Sequence, residues 1–124
     1  MNWTDMPVFK GIDLNDSFVL SWSRQSGELV IDLEASIWPE SPFYTEPKPD
    51  EYTCYRKATL RFVGVFEVVG LESMESVRFF TDANGEIDYG NIDSLRGSDS
   101  TYHLCGNFGE VEISGGELQF EVHT

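Results

Sequence analysis

Alternating apolar and polar side chains dominate the first third of the chain. Between Ser17 and Ser23 the residues Phe18, Leu20 and Trp22 alternate with Ser17, Val19, Ser21 and Ser23, a period of two that predicts a half-buried β-strand. After a turn at 24–27 the alternation resumes, with Leu29, Ile31, Leu33, Ala35 and Ile37 on one face and Asp32, Glu34 and Ser36 on the other. The two runs predict an antiparallel hairpin.

A proline-rich segment follows this hairpin between Trp38 and Asp50, where the prolines are Pro39, Pro42, Pro47 and Pro49. Proline lacks a backbone donor and breaks regular helices, so the segment is predicted to be a long loop. Three large aromatic residues, Trp38, Phe43 and Tyr44, lie on it. Such residues could anchor an interface at little entropic cost, or fold back to close one end of the fold, and the sequence leaves both readings open.

The middle of the chain predicts further strands. Residues Tyr52 to Val69 are predicted to form one long strand or a bent pair, with Leu60, Phe62, Phe66 and Val68 on one face. Gly64 falls on the same face, where a bulge or bend is expected. Strands are also predicted at Val77 to Thr81 and at Ile87 to Ile92. The Asn84-Gly85 dipeptide between them is typical of a type I′ hairpin turn. The polar stretch Asp93 to Ser100 is predicted to be a loop.

The last third predicts a strand at Thr101 to Cys105 and a final hairpin. Its strands, Glu110 to Ser114 and Glu117 to His123, are joined by a turn at Gly115-Gly116. Its apolar face comprises Val111, Ile113, Leu118, Phe120 and Val122, and its solvent face Glu110, Glu112, Gln119, Glu121 and His123. About eight short strands with little or no helix predict an all-β fold, an antiparallel β-sandwich or partly open barrel. The 124 residues fit a single domain, 1–124.

Charge changes the picture because it is strong and uneven. The net charge is −14, and residues 62–124 hold twelve acidic side chains against two basic ones, Arg78 and Arg96. Nucleic acids and anionic membranes are bound largely through Lys and Arg, so neither is an expected partner. A single-sign field speeds encounter with the opposite sign, which favours a basic protein partner. Solubility alone would account for the same charge without any partner.

The chain begins without a basic and then apolar leader, and no stretch approaches the length of a membrane span, so a cytoplasmic protein is expected. Cys54 and Cys105 are far apart in sequence and form no metal-binding motif. They could pair under oxidising conditions, but reduced thiols are the expectation for a cytoplasmic protein.

No catalytic constellation is recognisable, so no enzyme activity, cofactor or metal is expected. His103 and His123 lack neighbouring groups that would specify acid-base or metal chemistry. The acidic spacing that starts at Asp82 resembles that of a calcium loop, but Ile87 stands where the sharp turn requires glycine. With this many acids, a glycosidase-like carboxylate pair is expected by chance alone.

The segment Asp13-Leu14-Asn15-Asp16-Ser17-Phe18-Val19-Leu20-Ser21-Trp22 resembles the opening of several small bacterial β-rich families, some of them immunity proteins of polymorphic toxin systems. The resemblance covers the first hairpin, and Asn15 stands where the commonest form of the motif has His. It implies a cytoplasmic binding protein that neutralises a toxin. Independently of any family, Asp16 and Ser17 are suited to bond nearby backbone groups where a chain enters a strand.

The leading hypothesis is therefore a non-enzymatic acidic binding protein, an immunity-type inhibitor of a basic toxin or other cationic protein. Its expected partner-binding residues are Asp82, Glu86, Asp88, Glu110, Glu112, Glu117, Glu121, Trp38, Phe43 and Tyr44. The alternative is a domain that binds a small molecule or carbohydrate in an aromatic cleft under the proline-rich loop, around Trp38, Phe43, Tyr44 and Tyr52. A hydrolase with an acidic pair is a third possibility. The identity of the partner and the oligomeric state are left open.

Overall fold

The computed structural model describes residues 1–123. It contains eight β-strands and, within that range, three short 3₁₀ turns and no α-helix. The strands are β1 (Ile12–Gln25), β2 (Glu28–Ile37), β3 (Cys54–Val69), β4 (Phe80–Thr81), β5 (Ile87–Asp88), β6 (Ile92–Ser98), β7 (Thr101–Gly106) and β8 (Gly109–Val122). The 3₁₀ turns span Trp3–Asp5, Pro7–Phe9 and Met74–Ser76. The all-β prediction is confirmed.

Six of the strands form one antiparallel sheet in the order β1-β2-β3-β8-β7-β6, and β4 and β5 form a separate hairpin. The large sheet curls into a half-barrel. This is the partly open barrel of the two predicted architectures. Residues 1–123 contain no helix that is long and apolar enough to cross a membrane.

The curl brings the two edges of the large sheet together. Val19 of β1 donates its amide to the Gly90 carbonyl at 2.8 Å and accepts the Tyr89 amide at 2.8 Å. The Asn15 side chain donates to the Ile92 carbonyl at 2.9 Å, and the Asn91 side chain donates to the Ser17 carbonyl at 2.8 Å. These bonds form a short seam between β1 and the start of β6, which closes that part of the barrel.

The core lies inside the curl and forms one cluster of buried apolar side chains. All five residues predicted for the inner face of β2, Leu29, Ile31, Leu33, Ala35 and Ile37, are fully buried. Phe62 and Phe108 are the largest fully buried side chains. The first hairpin and its buried face are therefore confirmed.

The predicted inner face of β1 is correct at Trp22, which is buried, and wrong at Phe18 and Leu20. Its register against β2 shifts between Asp13 and Phe18 and again between Val19 and Ser21. Val19 is fully buried, whereas Phe18 and Leu20 are only half-buried and belong to the outer side. Each irregularity in a strand changes which residues face inward, and a simple period of two does not reveal it.

An irregularity of β3 lies close to Gly64, where a bulge or bend was expected, and the predicted inward direction of Phe66 is wrong. Gly64 has a φ of 75°, and the β3–β8 register shifts just beyond it, between Val65 and Glu67. Val65 is buried in the core, and Phe66 is 76% exposed.

The predicted final hairpin is wrong, because β8 is one continuous strand. Its first half pairs with β7, and most of its length pairs with β3. Gly115 and Gly116 have φ values of 78° and 87°, and the Gly115 amide donates to the Ser100 carbonyl at 2.7 Å. The two glycines give β8 a left-handed backbone beside the β3–β8 register shift, and the strand continues through them where the sequence predicted a turn.

The polar stretch predicted as a loop from Asp93 to Ser100 is largely strand β6. Gly97 pairs with Tyr102, and a Cβ at this position would lie 3.0 Å from the Tyr102 ring. This glycine therefore makes room for an aromatic ring on the neighbouring strand, which is one of the uses of glycine within a sheet.

The Asn-Gly hairpin is confirmed, although it is shorter than predicted. Only Phe80–Thr81 and Ile87–Asp88 pair, so Val77 to Phe79 and Tyr89 to Asn91 lie outside the two strands. Gly85 has a φ of 81°, but Asn84 is not among the residues with positive φ, as a type I′ turn would require.

The proline-rich segment is a loop, as predicted, and both cysteines are free thiols.

Candidate functional site

The floor of the candidate site consists of the two β1 residues that the bulges turn outward. Phe18 and Leu20 lie on the outer side of the barrel, and Glu34 of β2 lines the same space. Phe18 is paired with Glu34 in the sheet register. The bulges of β1 therefore place an apolar floor on a face that would otherwise carry polar side chains.

One wall comes from the end of the proline-rich loop and the start of β3. The Tyr52 hydroxyl donates to Asp16 Oδ1, and the Tyr55 hydroxyl donates to the Tyr52 hydroxyl at 2.7 Å. Tyr55 also lies 3.3 Å from Asp16 Oδ2. This Tyr52–Asp16–Tyr55 network links the loop to the bulged part of β1.

Both phenols are held in the neutral form. The hydrogen bond to Asp16 raises the pKa of Tyr52 above its ordinary value of 10.0. Burial raises the pKa of Tyr55, and its hydrogen bond to Tyr52 and the charge of Asp16 raise it further. Both hydroxyls therefore keep their protons for hydrogen bonding to a higher pH than free tyrosine hydroxyls would.

The opposite wall is the β4–β5 hairpin. Asp82 Oδ1 accepts the amides of Asn84 and Glu86 at 2.8 and 2.9 Å, so this carboxylate shapes the turn between the strands. The segment after β5 is anchored to the barrel by Tyr89. Its ring packs edge-on against that of Trp22, with the ring centroids 5.1 Å apart. The hairpin thereby holds its carboxylates over the floor of the site.

These walls enclose an open cleft of about 380 Å³. Its lining residues are Phe18, Leu20, Glu34, Asp50, Glu51, Tyr52, Tyr55, Asp82, Asn84, Glu86, Ile87 and Asp88. Six of them are carboxylic acids and none is Lys or Arg. Lys57 is the nearest cation to one of these acids, with its Nζ 3.5 Å from Glu34 Oε2. The cleft combines aromatic and apolar surface with strong negative charge, which suits a cationic group.

The structure divides the predicted acidic residues between two surfaces. Asp82, Glu86 and Asp88 line the cleft, whereas the β8 carboxylates of Glu110, Glu112, Glu117 and Glu121 are exposed and do not line it. Across the sheet, Glu117 is opposite Val63 and Glu121 is opposite Thr59. The β8 carboxylates therefore form a separate acidic row on the outside of the barrel.

The predicted aromatic residues of the proline-rich loop do not share one cleft. Trp38 is 47% exposed and lines a shallow groove beside Trp3, whereas Phe43 is 39% exposed and lines an apolar groove with Pro7 and Phe120. Tyr44 is partly buried and packs against the core. It therefore folds back onto the barrel, which is one of the two arrangements expected for the aromatic residues of this loop. Of the four residues proposed for an aromatic cleft, Tyr52 alone lines the acidic one.

Several residues of the cleft were not singled out from the sequence. They are Phe18, Leu20, Glu34, Asp50, Glu51 and Tyr55. The only local signal near them was the Asp16-Ser17 pair, and its two members have different roles. Ser17 is fully buried and donates to the Asp13 carbonyl at 2.7 Å, while its Oγ accepts the Ser36 amide at 3.0 Å. Ser17 therefore stabilises the bulge from the inside, and Asp16 holds the tyrosines on the outside.

A second polar network includes His123. Thr59 Oγ1 lies 3.1 Å from Asp32 Oδ1 and 2.7 Å from His123 Nε2, and Glu121 is 3.6 Å from His123 Nδ1. The arrangement superficially resembles a hydroxyl activated by a base. Thr59 is only 4% exposed, however, so its hydroxyl is not accessible to a substrate. We interpret this network as a structural tie between β2, β3 and the end of β8.

In the described part of the chain, no group of three or more His, Cys, Asp or Glu side chains is arranged to hold a metal ion. No protein-family model, curated protein or solved structure matches the chain.

Proposed function

We propose that this protein is a non-enzymatic binding protein that captures a basic protein partner, in the manner of an immunity-type inhibitor of a cationic toxin. The observation that carries the proposal is the acidic cleft, in which six carboxylic acids surround aromatic and apolar surface without a lining Lys or Arg. The net charge of −14 adds a long-range field of the same sign. Such a field accelerates the approach of a cationic protein, and the cleft supplies a place for close contact.

Inhibition is a reasonable outcome of such binding. A toxin that acts on nucleic acid needs a basic surface to hold phosphates, and an acidic protein competes for that same surface. The carboxylates of β8 and of the β4–β5 hairpin lie on hydrogen-bonded strands and on the turn between β4 and β5, so the spacing of their backbone attachment points is fixed. A fixed pattern of charge can be complementary to one partner and unfavourable for others.

The proposal is tested by capture and then by inhibition. The protein is immobilised at low salt, exposed to lysate of its native host, and compared with a variant in which Asp82, Glu86, Asp88, Glu110, Glu112, Glu117 and Glu121 are replaced by the corresponding amides. We expect a protein with a high isoelectric point to bind the wild type, to elute with salt, and to be poorly retained by the variant. Co-expression should then restore the growth of cells that produce the captured protein. Equal retention by both baits, or no restoration of growth, would refute the proposal.

A small-molecule or carbohydrate ligand is a second candidate, favoured by the size of the cleft. Its volume of about 380 Å³ lies within the range of roughly 300–1,000 Å³ found for ligand pockets. Thermal shift measurements with organic cations and with neutral sugars would distinguish the two functions. A sugar that stabilises the wild type but not Tyr52→Leu would favour the second candidate over the first.

A further inference from the structure

Three aromatic rings form a continuous row along the cleft. The Phe18 and Tyr55 ring centroids are 5.7 Å apart, and those of Tyr55 and Tyr52 are 5.8 Å apart with an interplanar angle of 79°. The row runs from the floor of the cleft to its outer wall, where Tyr52 is 75% exposed. An aromatic side chain this exposed, yet held at its hydroxyl, presents ring surface to whatever enters the cleft.

The two tyrosine hydroxyls are already used within the protein. Tyr52 donates to Asp16, and Tyr55 donates to Tyr52 at 2.7 Å. The row therefore offers ring faces and edges rather than free hydroxyl donors. The ring quadrupole attracts cations, and it does so most strongly where nearby carboxylates add to the field.

Charged residues border the row from two separate parts of the chain. Asp50 and Glu51 belong to the proline-rich loop, and Glu86 and Asp88 belong to the β4–β5 hairpin. The Asp50 and Glu86 side chains are exposed and are engaged in no hydrogen bond or ion pair within residues 1–123. A cation placed over the rings would therefore have carboxylates available on both sides.

From this geometry we infer that the cleft is the docking groove for a basic segment of the protein partner, with a lysine or arginine side chain lying over Tyr52 and Tyr55 between Asp50 and Glu86. The inference rests on the proposed function and specifies where the partner is bound. Charge complementarity selects this occupant, because an acidic or purely apolar segment would face six carboxylic acids, of which only Glu34 has an ion pair within residues 1–123, with Lys57. Asp16 is a positioning residue, since it fixes Tyr52 and does not line the cleft.

Two matched double variants test the site. Asp50→Asn with Glu86→Gln removes one carboxylate from each border of the cleft, and Glu110→Gln with Glu112→Gln removes two exposed carboxylates from β8. Both change the net charge equally. The probe is a peptide of alternating arginine and glycine, compared with one of alternating glutamine and glycine, by calorimetry at low salt.

We expect the cleft variant to weaken binding of the arginine peptide by about fivefold or more, and the β8 variant by less than about twofold. Equal weakening by both variants would overturn the docking groove and leave the proposed function standing. If the wild type did not bind the arginine peptide better than the glutamine peptide, the proposed function would fail as well.

The aromatic row is tested separately. Tyr52→Leu should weaken binding of the arginine peptide by about two- to fivefold, the usual range for an exposed cation–π contact. Tyr52→Phe keeps the ring but loses the hydrogen bond to Asp16, so it should restore only part of that loss. Phe43→Leu, which removes an exposed ring from the same loop but outside the cleft, should have no effect. The role of the row would be refuted if Tyr52→Leu bound like the wild type, or if Phe43→Leu lost as much affinity.

Discussion

Asp16 and Ser17 are neighbours in β1 with side chains in opposite environments. The Asp16 carboxylate holds two tyrosines at the surface, while the Ser17 hydroxyl is fully buried and bonds both to its own strand and to β2. Consecutive side chains of a strand point to opposite faces, and the irregularity between Asp13 and Phe18 sets which of the two points inward. Ser17 therefore stabilises the barrel, and Asp16 positions the tyrosines of the candidate site.

Replacing Ser17 with alanine should destabilise the protein by about 1–3 kcal/mol, because the buried Ser36 amide loses the acceptor that lies 3.0 Å away. Urea denaturation measures the change. Ser23→Ala is the matched control in the same strand, where the side chain is exposed and should contribute within about 0.5 kcal/mol. Similar stabilities for the two variants would show that the Ser17 hydrogen bond does not hold the bulge.

The adjacent glycines Gly115 and Gly116 lie within strand β8 and do not form a turn. Gly115 and Gly116 both have positive φ, and the strand continues through them while paired with β3 on either side of the irregularity. A Cβ on Gly116 would lie 2.7 Å from the Val63 carbonyl oxygen. Backbone conformation and close contact with β3 thus both require glycine at this position.

A pair of glycine substitutions separates these two requirements. Gly27→Ala changes a turn residue with a φ of 73° and no atom within 4 Å of its new Cβ, so it should cost about 1–2 kcal/mol for the left-handed backbone alone. Gly116→Ala has a similar φ of 87° and should cost at least about 1 kcal/mol more, because its Cβ meets β3. Thermal or urea denaturation of both variants checks the difference. Equal losses would mean that the contact with β3 relaxes freely.

Some strands and site residues could be predicted from the sequence, and others could not. The inner face of β2 was predictable because its alternation is unbroken, and the acidic hairpin was predictable from Asn84-Gly85. The direction of Phe18 was not, because bulges depend on pairing with a partner strand that local sequence does not specify. The cleft joins β1, β2, the proline-rich loop and the β4–β5 hairpin. Of the residues that line the cleft, only the hairpin acids and Tyr52 were expected at a binding site from the sequence, so most of the site required the tertiary structure.

At the scale of the whole molecule, charge repulsion is poorly compensated. The net charge is −14, whereas the ion pairs found among residues 1–123 number only three, Lys57–Glu34, Arg61–Glu28 and the pH-dependent His123–Glu121. Self-repulsion of this kind opposes the compact state, and dissolved salt screens it. The three ion pairs are too few to outweigh this repulsion between negative charges.

The melting temperature should therefore rise as sodium chloride is increased from low to physiological concentration. A gain of about 1 kcal/mol would correspond to a rise of roughly 4 °C for a domain of this size. Scanning calorimetry measures the shift. The Glu110→Gln and Glu112→Gln double variant should show a smaller rise, since it carries less charge. A melting temperature that fell with salt would indicate that the few ion pairs dominate.

The seam between Val19 and residues Tyr89 and Gly90 has a consequence for how the protein folds. Its partners are about seventy residues apart in the chain, and the strands that lie between them in the sheet must be in place before the edges can meet. Closing so long a loop is entropically costly, so the seam should form last on a slow, millisecond-to-second route to the native state. Until then the β1 edge is open, and a nascent chain could pair there with another copy.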